Sequence, residues 1–241
     1  MHKALLAFSL LVTFQISANA DWGDYDYSEE RELIVPAEGI ESMDVLAGAG
    51  PLVIEGDPGV DAVSVHATVL IDGAEGDAAR EFISRFMELS LERDGDEVHL
   101  VSVFDVEGLN WRGRSGSIAL EIVVPEGMTL DIRDGSGSMR VVDTQADVRV
   151  EDGAGSLEVR HVGGVDVKDG SGSIRIQDAS GDVRIRDGSG SVTVARVAGS
   201  VVVEDGSGSI RVEDVDGDFR VTDDGSDSVG FANVLGRVDV P

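Results

Sequence analysis

Asp169-Gly170-Ser171-Gly172-Ser173-Ile174-Arg175-Ile176 opens an 18-residue unit, DGSGSIRIQDASGDVRIR, which closes at Arg186 and at once begins again. The next unit, 187–204, reads DGSGSVTVARVAGSVVVE, and the one after, 205–223, reads DGSGSIRVEDVDGDFRVTD. DGSGS or a near copy starts at Asp134, Asp152, Asp169, Asp187, Asp205 and Asp224, in steps of 18, 17, 18, 18 and 19 residues. A fixed period of this size is the signature of stacked repeats, each too small to bury its own apolar face.

Each unit holds two short alternating runs, such as Ile174-Arg175-Ile176 and Val183-Arg184-Ile185. Alternation with period two marks a half-buried strand. Between the runs lie Gly- and Asp-rich corners, where glycine permits positive φ and Asp or Ser side chains bond nearby amides. One unit is strand, corner, strand, corner. Stacking pairs each strand with its counterpart one unit later. The expected fold is all-β: a single-stranded parallel β-solenoid of about seven ~18-residue coils. An irregular N-terminal β region with one short helix precedes it.

The inward columns follow directly. The first strand supplies Met139/Val141, Leu157/Val159, Ile174/Ile176, Val192/Val194, Ile210/Val212 and Val229/Phe231. The second supplies Val148/Val150, Val165/Val167, Val183/Ile185, Val201/Val203, Phe219/Val221 and Val238/Val240. The outward residues between them run Arg140, Glu158, Arg175, Thr193, Arg211 on one sheet. On the other they run Arg149, Asp166, Arg184, Val202, Arg220, Asp239. Acid and base largely alternate, so these faces read as self-complementary and solvated.

Residues 1–20 read as a secretory signal peptide: His2 and Lys3, an apolar run from Ala4 to Phe14, and an Ala18-Asn19-Ala20 cleavage site. No cysteine follows it, which removes both a lipid anchor and disulfides, and no later run is long enough to span a bilayer. A bacterial, periplasmic or secreted product is expected. Without residues 1–20 the chain carries 47 acidic and 18 basic residues. So negative a field argues against nucleic acid and against adsorption to anionic lipid.

Residues 21–31, DWGDYDYSEER, read as an acidic flexible leader. Residues 32–113 form the N-terminal β region. Ala47 to Ile54 reads as a diverged early coil. Ala78 to Phe86 is the helix, with Asp77 as its N-cap, and Arg93-Asp94-Gly95-Asp96 is a hairpin turn. Asp105 to Arg114 is a loop. Ser115-Gly116-Ser117 restarts the solenoid over 114–241, and Pro125-Glu126-Gly127 turns the chain into the first clean repeat.

The N-terminal strand ending at Pro36, the GAG-type early coil, the helix-plus-hairpin insertion, the VVPEG corner and the serial DGSGS coils together resemble a bacterial family of unknown function labelled putative adhesin. The resemblance covers residues 32–241. It implies a β-strand-repeat fold and a role at the cell envelope, and it transfers no catalytic or binding residue.

The repeat-start aspartates Asp134, Asp152, Asp169, Asp187, Asp205 and Asp224 stack at the strand spacing, with further columns at Asp143, Asp178, Asp214 and at Asp147, Asp182, Asp218. Two readings stand: each Asp caps its own turn, or the columns hold Ca²⁺ through oxygen ligands. The calcium-binding nonapeptide β-roll is a poor match. It needs Asp where this chain has Met139, Leu157, Ile174, Val192 and Ile210. His66, His99 and His161 share no motif, the Gly-Ser runs precede no helix or P-loop Lys, and the clean coils offer only Phe219 and Phe231 as aromatics. The expectation is a non-enzymatic scaffold or adhesin-like module with a protein or glycan partner. A glycan-binding or glycan-cleaving β-helix is the alternative. The last coil degrades at Asp227 and Gly230, so that end is either blunted by Arg237 and Pro241 or open to a partner or a second copy.

Overall fold

The computed structural model describes residues 25–105, 113–225 and 228–241, with the backbone alone at Asp223 and Asp224. The expected signal peptide, Trp22 and most of the DVEGLNWRGR loop lie outside the described residues.

In chain order the elements are β1 (Tyr27–Pro36), β2 (Ser42–Ala49), β3 (Leu52–Asp57), β4 (Ala62–Asp72), α1 (Gly76–Phe86), β5 (Met87–Asp94), β6 (Glu97–Phe104), β7 (Ser115–Pro125) and β8 (Thr129–Val142). The regular part follows as β9 (Val148–Asp152), β10 (Gly155–Val162), β11 (Val165–Asp169), β12 (Gly172–Ala179), β13 (Val183–Asp187) and β14 (Gly190–Val197). It ends with β15 (Val201–Asp205), β16 (Gly208–Val215), β17 (Phe219–Asp224), β18 (Ser228–Val234) and β19 (Val238–Asp239).

The chain is a parallel β-solenoid of about 6 turns. β8 and then the pairs β9/β10 to β17/β18 each make a coil, and β19 begins a further one. From β9 to β19 even-numbered strands stack in one sheet, sheet I, and odd-numbered strands in the other, sheet II. β8 is long enough to round the corner and serve both. Register is the sequence period itself: Ile174 sits between Leu157 and Val192, and Val183 between Val165 and Val201. The expected inward columns form one continuous core, with Val150, Val159, Val167, Ile176, Ile185, Val194, Val203 and Val212 sealed from solvent. Phe231 is the exception. It meets Phe219, centroids 6.0 Å apart, but is 52 % exposed.

The N-terminal region differs from its expected order. The early coil is real, but its neighbours are remote in sequence. β2 and β3 stack directly on β8, with Met43 against Leu130, Val45 against Ile132, Leu52 against Met139 and Ile54 against Val141. On their other side β2 pairs with β6 and β3 with β7, all parallel. The segment from Ser115 therefore does not stack on the first clean repeat. Residues 42–57 lie between them.

Beyond β7 the sheet turns antiparallel, through β4 to β1, and beyond β6 through β5. Residues 27–31 belong to β1, so the strand starts inside the stretch expected to be a flexible leader. α1 begins at Gly76 with Glu75 at the N-cap position and no side-chain cap. Asp77 lies in the first turn and pairs with Arg80 at 2.9 Å. Ala79, Phe82 and Ile83 pack on Val69, Ile71 and Ala74, making a second apolar cluster at this end. Among the described residues no helix is long and apolar enough to cross a membrane.

Candidate functional site

Two corner columns alternate their chemistry from coil to coil. At one corner every second coil places Asp143, Asp178 and Asp214. The coils between place His161, Arg196 and Asn233. All six have φ between 52 and 60°. Asp, Asn and His tolerate this left-handed geometry better than Arg, whose strain needs compensation. The ladder supplies it. His161 Nδ1 lies 2.6 Å from Asp143 Oδ1, Arg196 Nη2 donates to Asp178 Oδ2 at 2.8 Å, and Asn233 Nδ2 donates to Asp214 Oδ1 at 2.8 Å. The hydrogen bond from Arg196 holds the Asp178 carboxyl below its usual range.

Its contribution is therefore present above the ordinary Asp pKa and is lost as pH falls through the depressed one. Arg196→Ala is expected to lower stability only slightly, because the pair is partly exposed and screened. Denaturation at pH 7 checks this, and the deficit should vanish below the Asp178 pKa.

The second corner alternates Asp147, Asp182 and Asp218 with Gly164, Ser200 and Arg237. Here each Asp caps the turn of the next coil. Gly164, Ser200 and Arg237 donate their N–H to Asp147, Asp182 and Asp218 at 2.6, 2.7 and 2.7 Å.

The repeat-start column does not alternate. Asp134, Asp152, Asp169, Asp187 and Asp205 stand in direct register, one per coil. Asp224 continues the backbone register. They are not on an exposed edge, as their turn position suggests. Each is the third inward residue of its strand, after Val183 and Ile185 in the case of Asp187, and all five are 1–8 % exposed. The signal was in the sequence: V-x-V-x-D carries the inward alternation through to the Asp.

The turn-cap reading accounts for one oxygen. Ala154, Ser171, Ser189 and Ser207 donate their N–H to Oδ1 of Asp152, Asp169, Asp187 and Asp205 at 3.1–3.3 Å. The other oxygen, Oδ2 of Asp152, Asp169 and Asp187, is buried with no hydrogen-bond partner, as are both oxygens of Asp134. Burial, then the charge of Asp152, pushes the Asp134 carboxyl up to about 6. Burial, then Asp169, does the same to Asp187, also to about 6. Asp152 and Asp169 are raised as well, chiefly by burial.

The outer faces are largely self-paired. Arg186 bridges Asp166 at 3.6 Å and Glu204 at 3.8 Å, Arg140 reaches Glu158 at 3.9 Å, and Arg220 reaches Asp239 at 3.4 Å. Asp44, Glu97 and His99 bring ligand atoms within 4.8 Å of one another, the one such group among the described residues. Protein groups already engage them: Arg133 donates to Asp44, and His99 Nε2 lies 3.5 Å from Glu97.

The last coil differs. No charged residue occurs from Ser228 to Gly236, and Leu235 is 78 % exposed. Gly230, in the outward column after Arg211, leaves an open depression of about 530 Å³. Phe231, Thr193 and the Arg211–Glu213 pair, 2.8 Å apart, line it.

No family model matches the chain, and no curated protein matches it. Solved structures do. The chain is similar to a putative cell adhesion protein from Clostridium sporogenes, at 14 % identity and TM-score 0.42, over 89 % of this chain and 99 % of that one. It is also similar to a putative lipid binding protein from Parabacteroides distasonis, at 14 % identity and TM-score 0.47, over 89 % and 96 %. A third is a putative adhesin from Bacteroides fragilis, at 10 % identity and TM-score 0.31, over 91 % and 100 %.

Proposed function

We propose that this chain is an exported, non-enzymatic interaction module: an adhesin-like rod at the bacterial cell envelope that binds a protein partner through its C-terminal coil. The supporting observation is the contrast between its sides and that coil. Along the sides, arginines and carboxylates are spent on each other in coil-to-coil pairs. β18 presents an uncharged strand edge with Phe231 exposed, and Leu235 just beyond it is exposed too. Natural edge strands are commonly protected by charge, and an uncharged edge accepts another strand. The occupant proposed is a β-strand of the partner protein. The basic and apolar start of the chain, with its A-x-A site, supports export.

The test is fractionation of the host cell. The wild-type chain is expected to sediment with washed envelopes, and Phe231→Asp with Leu235→Asp to move into the soluble fraction. Identical distributions would refute the reading. A concentration series in light scattering shows whether the added strand comes from a second copy.

The depression beside Gly230 favours one second reading, a glycan subsite, because it joins an exposed aromatic ring to hydroxyls and a charged pair. A glycan array would then show binding that Arg211→Ala abolishes while sedimentation stays unchanged.

A further inference from the structure

We propose that Asp134, Asp152, Asp169, Asp187 and Asp205 form a proton-binding ladder, in which hydrogen ions held on buried carboxyls neutralise the column inside the solenoid. Both exposed corner columns avoid stacking acid on acid, although solvent screens those positions well. The column that places an acid in every coil from Asp134 to Asp205 is the buried one. Unscreened, neighbouring carboxylates at strand spacing repel strongly. A column of this kind persists only if something neutralises it.

No base does so. The corner is built of Gly135 to Ser138, Gly153 to Ser156, Gly170 to Ser173, Gly188 to Ser191 and Gly206 to Ser209, none of them titratable. Below Asp134 lies Ala47, followed by Gly48 to Pro51. The charges acting on Asp134 and Asp169 are those of the column itself. On Asp187 they are Asp169 and Asp205. Beyond Asp205 the column meets Asp224 in backbone register.

A metal ion fits poorly. Calcium takes six to eight oxygens. The open oxygens, Oδ2 of Asp152, Asp169 and Asp187, each have less than 1 Å² accessible. The flanking carbonyls are already engaged: those of Asp152, Asp169 and Asp187 accept from Gly170, Gly188 and Gly206 at 3.0, 3.0 and 2.9 Å. A proton needs one oxygen and no room. Protonation removes a carboxylate's charge, and with it the repulsion of the next.

The linkage has a definite sign. A carboxyl held above its unfolded pKa makes the folded state bind more protons. Its stabilisation is complete below the unfolded pKa and is lost as pH rises through the folded one. Each carboxyl held near 6 should weaken folding about tenfold between pH 5 and pH 8.

The experiment is urea unfolding of the exported chain from pH 5 to pH 8, with wild type beside Asp152→Asn/Asp187→Asn. Asparagine keeps the turn-capping oxygen and adds a permanent donor. The expected result is a wild-type midpoint that falls with pH and a variant that is flatter and more stable at pH 8. A variant with the wild-type slope overturns the ladder, because other carboxylates then carry the slope. Should the variant not fold, infrared spectra of the wild type decide. The band of protonated carboxyls at pH 6, lost by pH 9, supports the ladder, and its absence refutes it. A wild-type midpoint at pH 8 that rises with calcium chloride, beyond ionic-strength-matched sodium chloride, assigns the column to a cation and overturns the proposal.

Discussion

Gly190→Ala is expected to abolish the cooperative melt of the regular coils, at a cost above about 4 kcal/mol. Gly190 has φ +147°, and a Cβ there would lie 1.6 Å from the carbonyl oxygen of Gly172 in the coil below. No rotamer relieves that contact, because both sides are backbone. The same approach recurs at Gly155, Gly172 and Gly208, so the coil spacing is set at this corner by the absence of a side chain. The neighbouring Ser189→Ala is expected to change stability by less than about 0.5 kcal/mol. Its position already holds alanine two coils earlier, at Ala154, and the bond to Asp187 comes from the main chain. Circular-dichroism melts of both variants check the pair. A Gly190→Ala protein that melts like wild type would contradict the stacking described.

Val201→Asp is the second large effect. Val201 is fully buried between Val183 and Phe219 on the adjacent coils. An unpaired carboxylate there costs several kcal/mol, a large part of a domain's stability of roughly 5–15 kcal/mol. In a one-dimensional stack the loss spreads, since each coil is stable only against its neighbours. Urea denaturation should show a lower midpoint and a broken two-state transition. Val202→Asp, one residue on, should do the reverse. Val202 faces outward between Arg184 and Arg220, so an aspartate there completes an acid–base alternation and adds about 0.2–1 kcal/mol.

The regular coils were legible because their contacts repeat at the sequence period. Once Ile174 and Ile176 are inward, Val192 and Val194 must be. The N-terminal region was not legible in the same way. Its hairpin, helix and early coil could be read locally, but not that residues 42–57 are held between two later segments. That order is decided by matching apolar columns, Met43 with both Val98 and Leu130, and no local pattern reports such a pairing. At the candidate site the positions of the aspartates were plain and their burial was not. Turn chemistry pointed outward, whereas strand alternation carried through Asp187 pointed inward, and the alternation won. His161 shares no motif with the other histidines, and sequence alone gives it no role. What was missed is that its neighbours above and below are both acids.

The interleaving of β2 and β3 also sets a direction for assembly. In the regular coils the pairing residues are 18 apart, as in Arg196 with Asp178, so each closure is short and cheap. At the other end Arg133 meets Asp44 across 89 residues. The slow, high-contact-order step therefore lies in residues 27–142, and everything after it is fast nearest-neighbour addition. A chain delivered N-terminus first presents its slow segment first. Once that segment closes, every later coil arrives at a finished template, and the order of emergence is the order of growth.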